Sequence, residues 1–201
     1  MRLNVTYIAR SLRGAWLVMM GRREGLALLD ISEEGFWRSL QAALISLPVF
    51  ILSWADYARE LSVSGPISAG QAIWRIGLTD ICAWFLPLIA FALAARRLRL
   101  SDRFVHYFVA TNWASAILIY FMLPVIAVEG IAPQGSEANV LASLIYFGLS
   151  LILTFRLTHI TLNRNWQVTL AVFLALLLLS FIIIFGMQDL LGIAQPPAPS
   201  G

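Results

Sequence analysis

An acid set inside a run of apolar residues is the first place to look for chemistry, and this sequence has one in Asp80, within AIWRIGLTDICAWFLPLIAFALAA. A carboxylate in hydrocarbon has to be paired, protonated or beside water, because it loses its hydration there. Arg75 precedes it by five residues, and Asn112 and Tyr120 lie inside the next apolar run. Counted from Ala72 at about 1.5 Å per residue, Asp80 sits roughly 12 Å inside a hydrocarbon core of about 30 Å. Asn112, counted from the opposite boundary of its own run, lies about as deep. The two are expected to meet near the midplane in an interhelical hydrogen bond. A proton- or ion-linked role for Asp80, or a position nearer water, are the other readings. Arg75, about one turn inside the boundary, is expected to snorkel its guanidinium to water or headgroups. Asp80, Asn112, Arg75 and Tyr120 are thus the intramembrane polar candidates.

Other chemistry finds little support. The sequence contains no GxSxG, HExxH, CxxC or phosphate-binding glycine loop, so no catalytic residue is singled out and an enzyme is not expected. Cys82 is the only cysteine, and His106 and His159 are the only histidines, too few for a ligand set. No metal and no cofactor are expected. A basic groove interleaved with aromatics is missing, which argues against nucleic acid as a partner.

The elements that position these residues follow from composition. Of 201 residues, 60% are hydrophobic and only 12% charged, with a mean hydropathy of +0.81. A soluble domain carries roughly a quarter charged residues. The apolar residues cluster into blocks approaching the ~20 needed to cross a bilayer as a helix. These blocks predict an all-α, polytopic membrane protein with five spans, at about 36–54, 72–95, 104–128, 139–155 and 167–187. Ser32, followed by Glu33 and Glu34, reads as the N-cap of the first, with Ile31 placed to staple against Phe36. Trp37 and Trp54 suit its two interfaces. Residues 55–71 read as a loop, as do the residues around Arg156, His159 and Arg164. SLPVF, FLPLI and MLPVI place Pro48, Pro87 and Pro124 inside three spans, where they are expected to kink the helices for packing. Small residues Ala83, Ala90 and Ala94 in span two and Ala110 and Ala114 in span three predict close packing of those two spans.

Residues 1–31 form a separate N-terminal segment. Val5, Ile8, Leu12, Ala15, Trp16 and Met19 recur at helical spacing, while Arg10 and Arg13 project elsewhere. This predicts an amphipathic helix at the membrane interface, packing against the rest of the protein being the alternative. No cleavage pattern follows, and the first span is expected to act as the insertion signal. Residues 191–201, ending in AQPPAPSG, read as a short disordered tail.

All fourteen basic residues are arginine, a bias that hints at a bacterial source. Twelve fall on one side of a five-span arrangement: Arg2, Arg10, Arg13, Arg22, Arg23 and Arg38, then Arg96, Arg97, Arg99 and Arg103, then Arg156 and Arg164. Arg59 and Arg75 lie on the other. The positive-inside rule predicts a cytoplasmic N-terminus and an external C-terminus in a cell inner membrane. Arg10, Arg13, Arg22, Arg23, Arg96, Arg97, Arg99 and Arg103 are expected to contact anionic lipid.

Five spans behind a cytoplasmic N-terminal segment, with Asp30 ahead of Gly35, Phe36 and Trp37 at the start of the first span, resemble the Yip1 superfamily of five-span membrane proteins. That family carries an acidic residue and a Gly-Pro-aromatic phrase at this point; the proline is missing here. The resemblance covers about residues 30–190 and implies a non-enzymatic membrane protein, with eukaryotic relatives tied to vesicle membranes and small GTPases. It carries over no functional residue. The reading is a non-catalytic protein that organises lipid or partner proteins. A small transporter or channel component using Asp80 and Asn112, and an accessory subunit bound to a membrane-protein partner, are the alternatives.

Overall fold

The structure, a computed structural model, describes residues 5–64, 67–131 and 136–193. Among these there is no strand. Eight α-helices run as α1 (Val5–Met19), α2 (Glu33–Ser39), α3 (Gln41–Ser64), α4 (Ala69–Ala95), α5 (Ser101–Phe121), α6 (Leu123–Ile131), α7 (Glu137–Leu162) and α8 (Trp166–Leu190), with a 3-10 helix over Arg23–Leu28. Five stretches are long and apolar enough to cross a membrane: Glu33–Arg59, Ala69–Ala95, Ser101–Val128, Glu137–Leu162 and Trp166–Leu190. The chain is an all-α, multi-pass membrane protein.

The boundaries depart from the sequence reading for identifiable reasons. Ser32 is the N-cap, its hydroxyl accepting from the Gly35 N–H at 3.0 Å. Gly35 is required there because a Cβ would collide with the Asp30 carbonyl. The Ile31 staple is replaced: Phe36 stacks on Phe108 with centroids 4.0 Å apart, and Ile31 stays exposed. Span one is interrupted at Leu40, between α2 and α3. The Ser39 hydroxyl, donating to the Phe36 carbonyl at 2.7 Å, competes with the helical pattern at that point. Instead of stopping at Trp54, α3 continues to Ser64, because the segment after Trp54 is rich in helix formers and buries Ala58 and Leu61. Likewise α7 carries Arg156 and His159 on its last turns rather than in a loop; Leu157 and Thr158 between them, and Thr161 just after, are buried. Pro48 and Pro87 lie inside continuous helices. Pro124 instead follows the break between α5 and α6 at Met122, as its missing N–H and fixed φ favour.

The chain divides into two compact units. Unit one joins Met1–Val49 with Ala94–Phe173. Here α1 packs against the 3-10 helix, α5 and α7. It is therefore a docked helix rather than one lying free at the interface. Tyr7 meets Trp113 at 5.8 Å and Trp16 meets Phe121 at 5.6 Å; these partners lie twelve and twenty residues along α5, away from its Ser101 end. The buried face is Ser11, Gly14, Ala15, Val18 and Met19, whereas Val5 is 77% exposed. Ala15 and Met19 of the apolar stripe lie on this face together with Val18, and the small residues Ser11 and Gly14 let the backbones approach. A Cβ on Gly14 would lie 2.9 Å from the Gly25 carbonyl oxygen. The first part of span three, α5, packs in this unit against α1, α2, α6 and α7.

Unit two joins Phe50–Leu93 with Leu174–Gly201. Ala58, Leu61, Ala72, Ile76 and Ile193 form its apolar cluster, with Trp54, Tyr57, Ile67 and Leu191 against it. Ile193, 1% exposed, belongs to an ordered end. The Ile193 N–H bonds the Gln188 carbonyl at 2.9 Å and the Gly192 N–H that of Asp189 at 3.1 Å, with Gly192 at φ +62°. This is a Schellman cap. Leu191 to Ile193 thus depart from the expected tail, of which AQPPAPSG lies outside the described residues.

Candidate functional site

Asp80 and Asn112 each have a hydrogen-bond partner within their own unit. In unit two, the Trp54 indole Nε1–H donates to Asp80 Oδ2 at 2.6 Å. Gly77, one turn before Asp80, makes room for that indole: a Cβ there would stand 3.3 Å from the Trp54 ring. Trp54 is consequently a buried-side partner of span two rather than the interfacial marker its position suggested. It stacks on Phe50 at 5.6 Å, and Phe50 lies 5.9 Å from Trp84. Arg75 turns its Nη1 to the Leu191 carbonyl at 2.7 Å and lies 6.0 Å from the Trp74 ring. There it closes the C-terminal end of α8, where the last carbonyls lack helical partners and the dipole favours a cation.

In unit one, Asn112, 1% exposed, donates from Nδ2 to the Ser39 Oγ at 2.9 Å. That bond joins span three to the interruption in span one. Tyr120 donates to the Ile45 carbonyl at 3.0 Å and is 41% exposed. Gln41 and Ser11 are also buried in this unit. Irregular backbone at membrane depth is tolerated where polar groups bond the backbone; the Ser39 hydroxyl bonds the Phe36 carbonyl and in turn accepts from Asn112. Tyr7 extends this region, 5.3 Å beneath the Arg38 guanidinium. Burial pushes its phenol above the usual range, partly opposed by hydrogen bonding to Ser11. Asp30, at the start of span one, is held below its ordinary range mainly by the Ser32 hydroxyl, which donates to Oδ1 at 2.6 Å.

The arginines divide into anchors and exposed charges. Arg10 Nε donates to the Leu28 carbonyl at 3.0 Å and ties the 3-10 helix to α1. Arg23 Nη1 donates to Asn163 Oδ1 at 3.1 Å. Arg164 Nη2 donates to the Arg99 carbonyl at 2.9 Å and lies 3.5 Å from Asp102. Arg103 pairs with Asp102 at 3.2 Å. Three arginine-bearing segments distant in sequence therefore meet at one end of unit one. Among the described residues Arg22 reaches only Glu24, at 3.9 Å. Arg13, Arg96, Arg97 and Arg99 are exposed, with no ion pair from their guanidiniums among the described residues. Arg99 holds a left-handed backbone, φ +55°, so that the Leu100 N–H can bond the Ala95 carbonyl at 2.8 Å and close α4.

Sequence reasoning picked out Asp80 and Asn112 but missed Trp54 and Ser39. The signal for the first was present: Phe50 and Trp54, like Asp80 and Trp84, are four apart and share a helix face. Nothing comparable marked Ser39. These features define the chain as a multi-pass helical membrane protein with a half-buried Trp54–Asp80 contact, a buried Ser39–Asn112 contact and a basic end. No protein-family model, curated protein or solved structure matches it.

Proposed function

We propose that this chain is a non-enzymatic bacterial inner-membrane protein that gathers anionic lipid, and with it partner proteins, at its basic end, which faces the cytoplasm. The observation that carries this reading is the meeting of Arg23, the Arg99–Arg103 turn and Arg164 at one end of unit one. Arg22, Arg96 and Arg97 extend that surface with exposed guanidiniums. Arginines near a membrane surface attract anionic headgroups by about 1 kcal/mol each. The Yip1-like layout agrees with a protein that acts by binding rather than by catalysis.

The test replaces Arg22, Arg96 and Arg97 by Gln, leaving the Arg23, Arg99 and Arg164 contacts in place. Lipid retention is measured by native mass spectrometry in nanodiscs containing phosphatidylglycerol. Affinity for anionic lipid should fall by about two orders of magnitude at low salt, with the helical content unchanged. Equal retention by the variant would remove the proposal.

A further inference from the structure

Asp80 is the twelfth residue of a 27-residue helix, about 16 Å along it from Ala69, and so close to mid-depth. Its Oδ2 accepts from the Trp54 indole. Among the described residues no hydrogen bond reaches Oδ1, and no cation pairs with the carboxyl. Arg75, the one arginine of α4, is committed to the Leu191 carbonyl. The Thr79 hydroxyl is turned back to the Arg75 carbonyl at 3.0 Å. A carboxyl at this depth needs a proton, water or a positive partner, and among the described residues the chain supplies no positive partner.

The surroundings narrow what that partner is. The four residues Phe50, Trp54, Asp80 and Trp84 come from facing turns of α3 and α4, both pairs spaced four apart. Trp54 and Phe50 are stacked, with planes 27° apart; Phe50 and Trp84 are tilted at 43°. All four side chains are half-buried, so the group is reachable. A divalent ion would require several oxygen ligands, and no cluster of three or more His, Cys, Asp or Glu is present among the described residues. Ring faces, by contrast, attract a cation that is weakly hydrated and easily stripped of water.

We propose that Asp80, with Phe50, Trp54 and Trp84, forms a binding site for a monovalent lipophilic organic cation such as a quaternary phosphonium or ammonium. The carboxylate supplies the opposite charge and the rings supply apolar, electron-rich walls. Trp54 holds the carboxylate in place through its indole N–H and leaves the other oxygen to the ligand. Gly77 favours that arrangement, since a Cβ there would stand 3.3 Å from the indole and press it by a few tenths of an ångström.

The test is equilibrium dialysis of labelled tetraphenylphosphonium against the full chain in phosphatidylcholine nanodiscs, with empty nanodiscs subtracted. Zwitterionic lipid keeps surface charge from recruiting the probe. One saturable site per chain is expected, with no competition from tetraphenylborate, which has the same shape and the opposite charge. Asp80→Asn retains an acceptor for Trp54 and should bind at least about tenfold more weakly. Trp84→Leu should lose roughly tenfold through its missing ring. Absence of saturable uptake above empty nanodiscs would overturn the proposal, as would equal competition by tetraphenylborate or unchanged affinity in Asp80→Asn. Should Asp80→Asn fail to fold, wild-type affinity in a folded Trp84→Leu would overturn it as well.

Discussion

Replacing Gly25 by Ala separates a docked N-terminal helix from one that floats at the membrane surface, because the two arrangements give opposite signs. In the structure the new Cβ would press into the Gly14 carbonyl oxygen and stand 2.8 Å from Leu17 Cβ and 2.9 Å from Val18 Cγ2. Ordinary contacts between carbon atoms are about 3.5–4.0 Å, so the 3-10 helix and α1 would have to separate by roughly 0.7–1 Å. Overpacking of this kind costs about 1–3 kcal/mol. One of the obstructing atoms is backbone and cannot rotate away, which places the expected loss near 3 kcal/mol. At roughly 2–4 °C per kcal/mol for a chain of this size, the melting midpoint should fall by about 6–12 °C. Were α1 independent of the 3-10 helix, the same change would only restrict the unfolded chain and stabilise by about 0.4–1 kcal/mol. Thermal unfolding followed by circular dichroism in one mild detergent measures the difference. An unchanged or raised midpoint would refute the packing of α1 described above.

Two further outcomes follow from particular contacts. Arg99→Gly should raise stability by up to about 1 kcal/mol, because glycine adopts the left-handed cap without the Cβ penalty and the Arg99 carbonyl still accepts from Arg164; a lower unfolding midpoint would count against the cap. A double-mutant cycle on Ser39→Ala and Asn112→Ala should give a coupling of about 0.6 kcal/mol, and no more than about 1.7, as for other hydrogen bonds between membrane helices. Strict additivity in detergent unfolding would deny that the 2.9 Å contact contributes.

Five spans were legible because hydropathy over some twenty residues depends on composition and hardly at all on neighbours. The N-cap at Ser32 was legible for a related reason: Ser32, Glu33 and Glu34 satisfy and complement local backbone groups within a single turn. Polar partners were another matter. Depth along a helix can be counted from sequence, and Asp80 and Asn112 count to similar depths, but depth says nothing about azimuth or about which helices are neighbours. Trp54 lay ready as a donor on α3, and Ser39 lay at an interruption that its own hydroxyl helps to create.

The amino-acid sequence by itself determined that this is a helical, multi-pass membrane protein, where its spans fall to within a few residues at most boundaries, and that three arginine-bearing segments share one end. Each of these rests on short-range properties: span length, residue hydropathy and local capping chemistry. Only the tertiary structure decided that α1 buries Ser11, Gly14 and Val18 together with part of its apolar stripe, that Arg75 closes α8, and that Asp80 is held by Trp54. Those outcomes depend on how closely two backbones can approach and on which polar groups lie within about 3 Å of one another, quantities that exist only once the helices have been brought together.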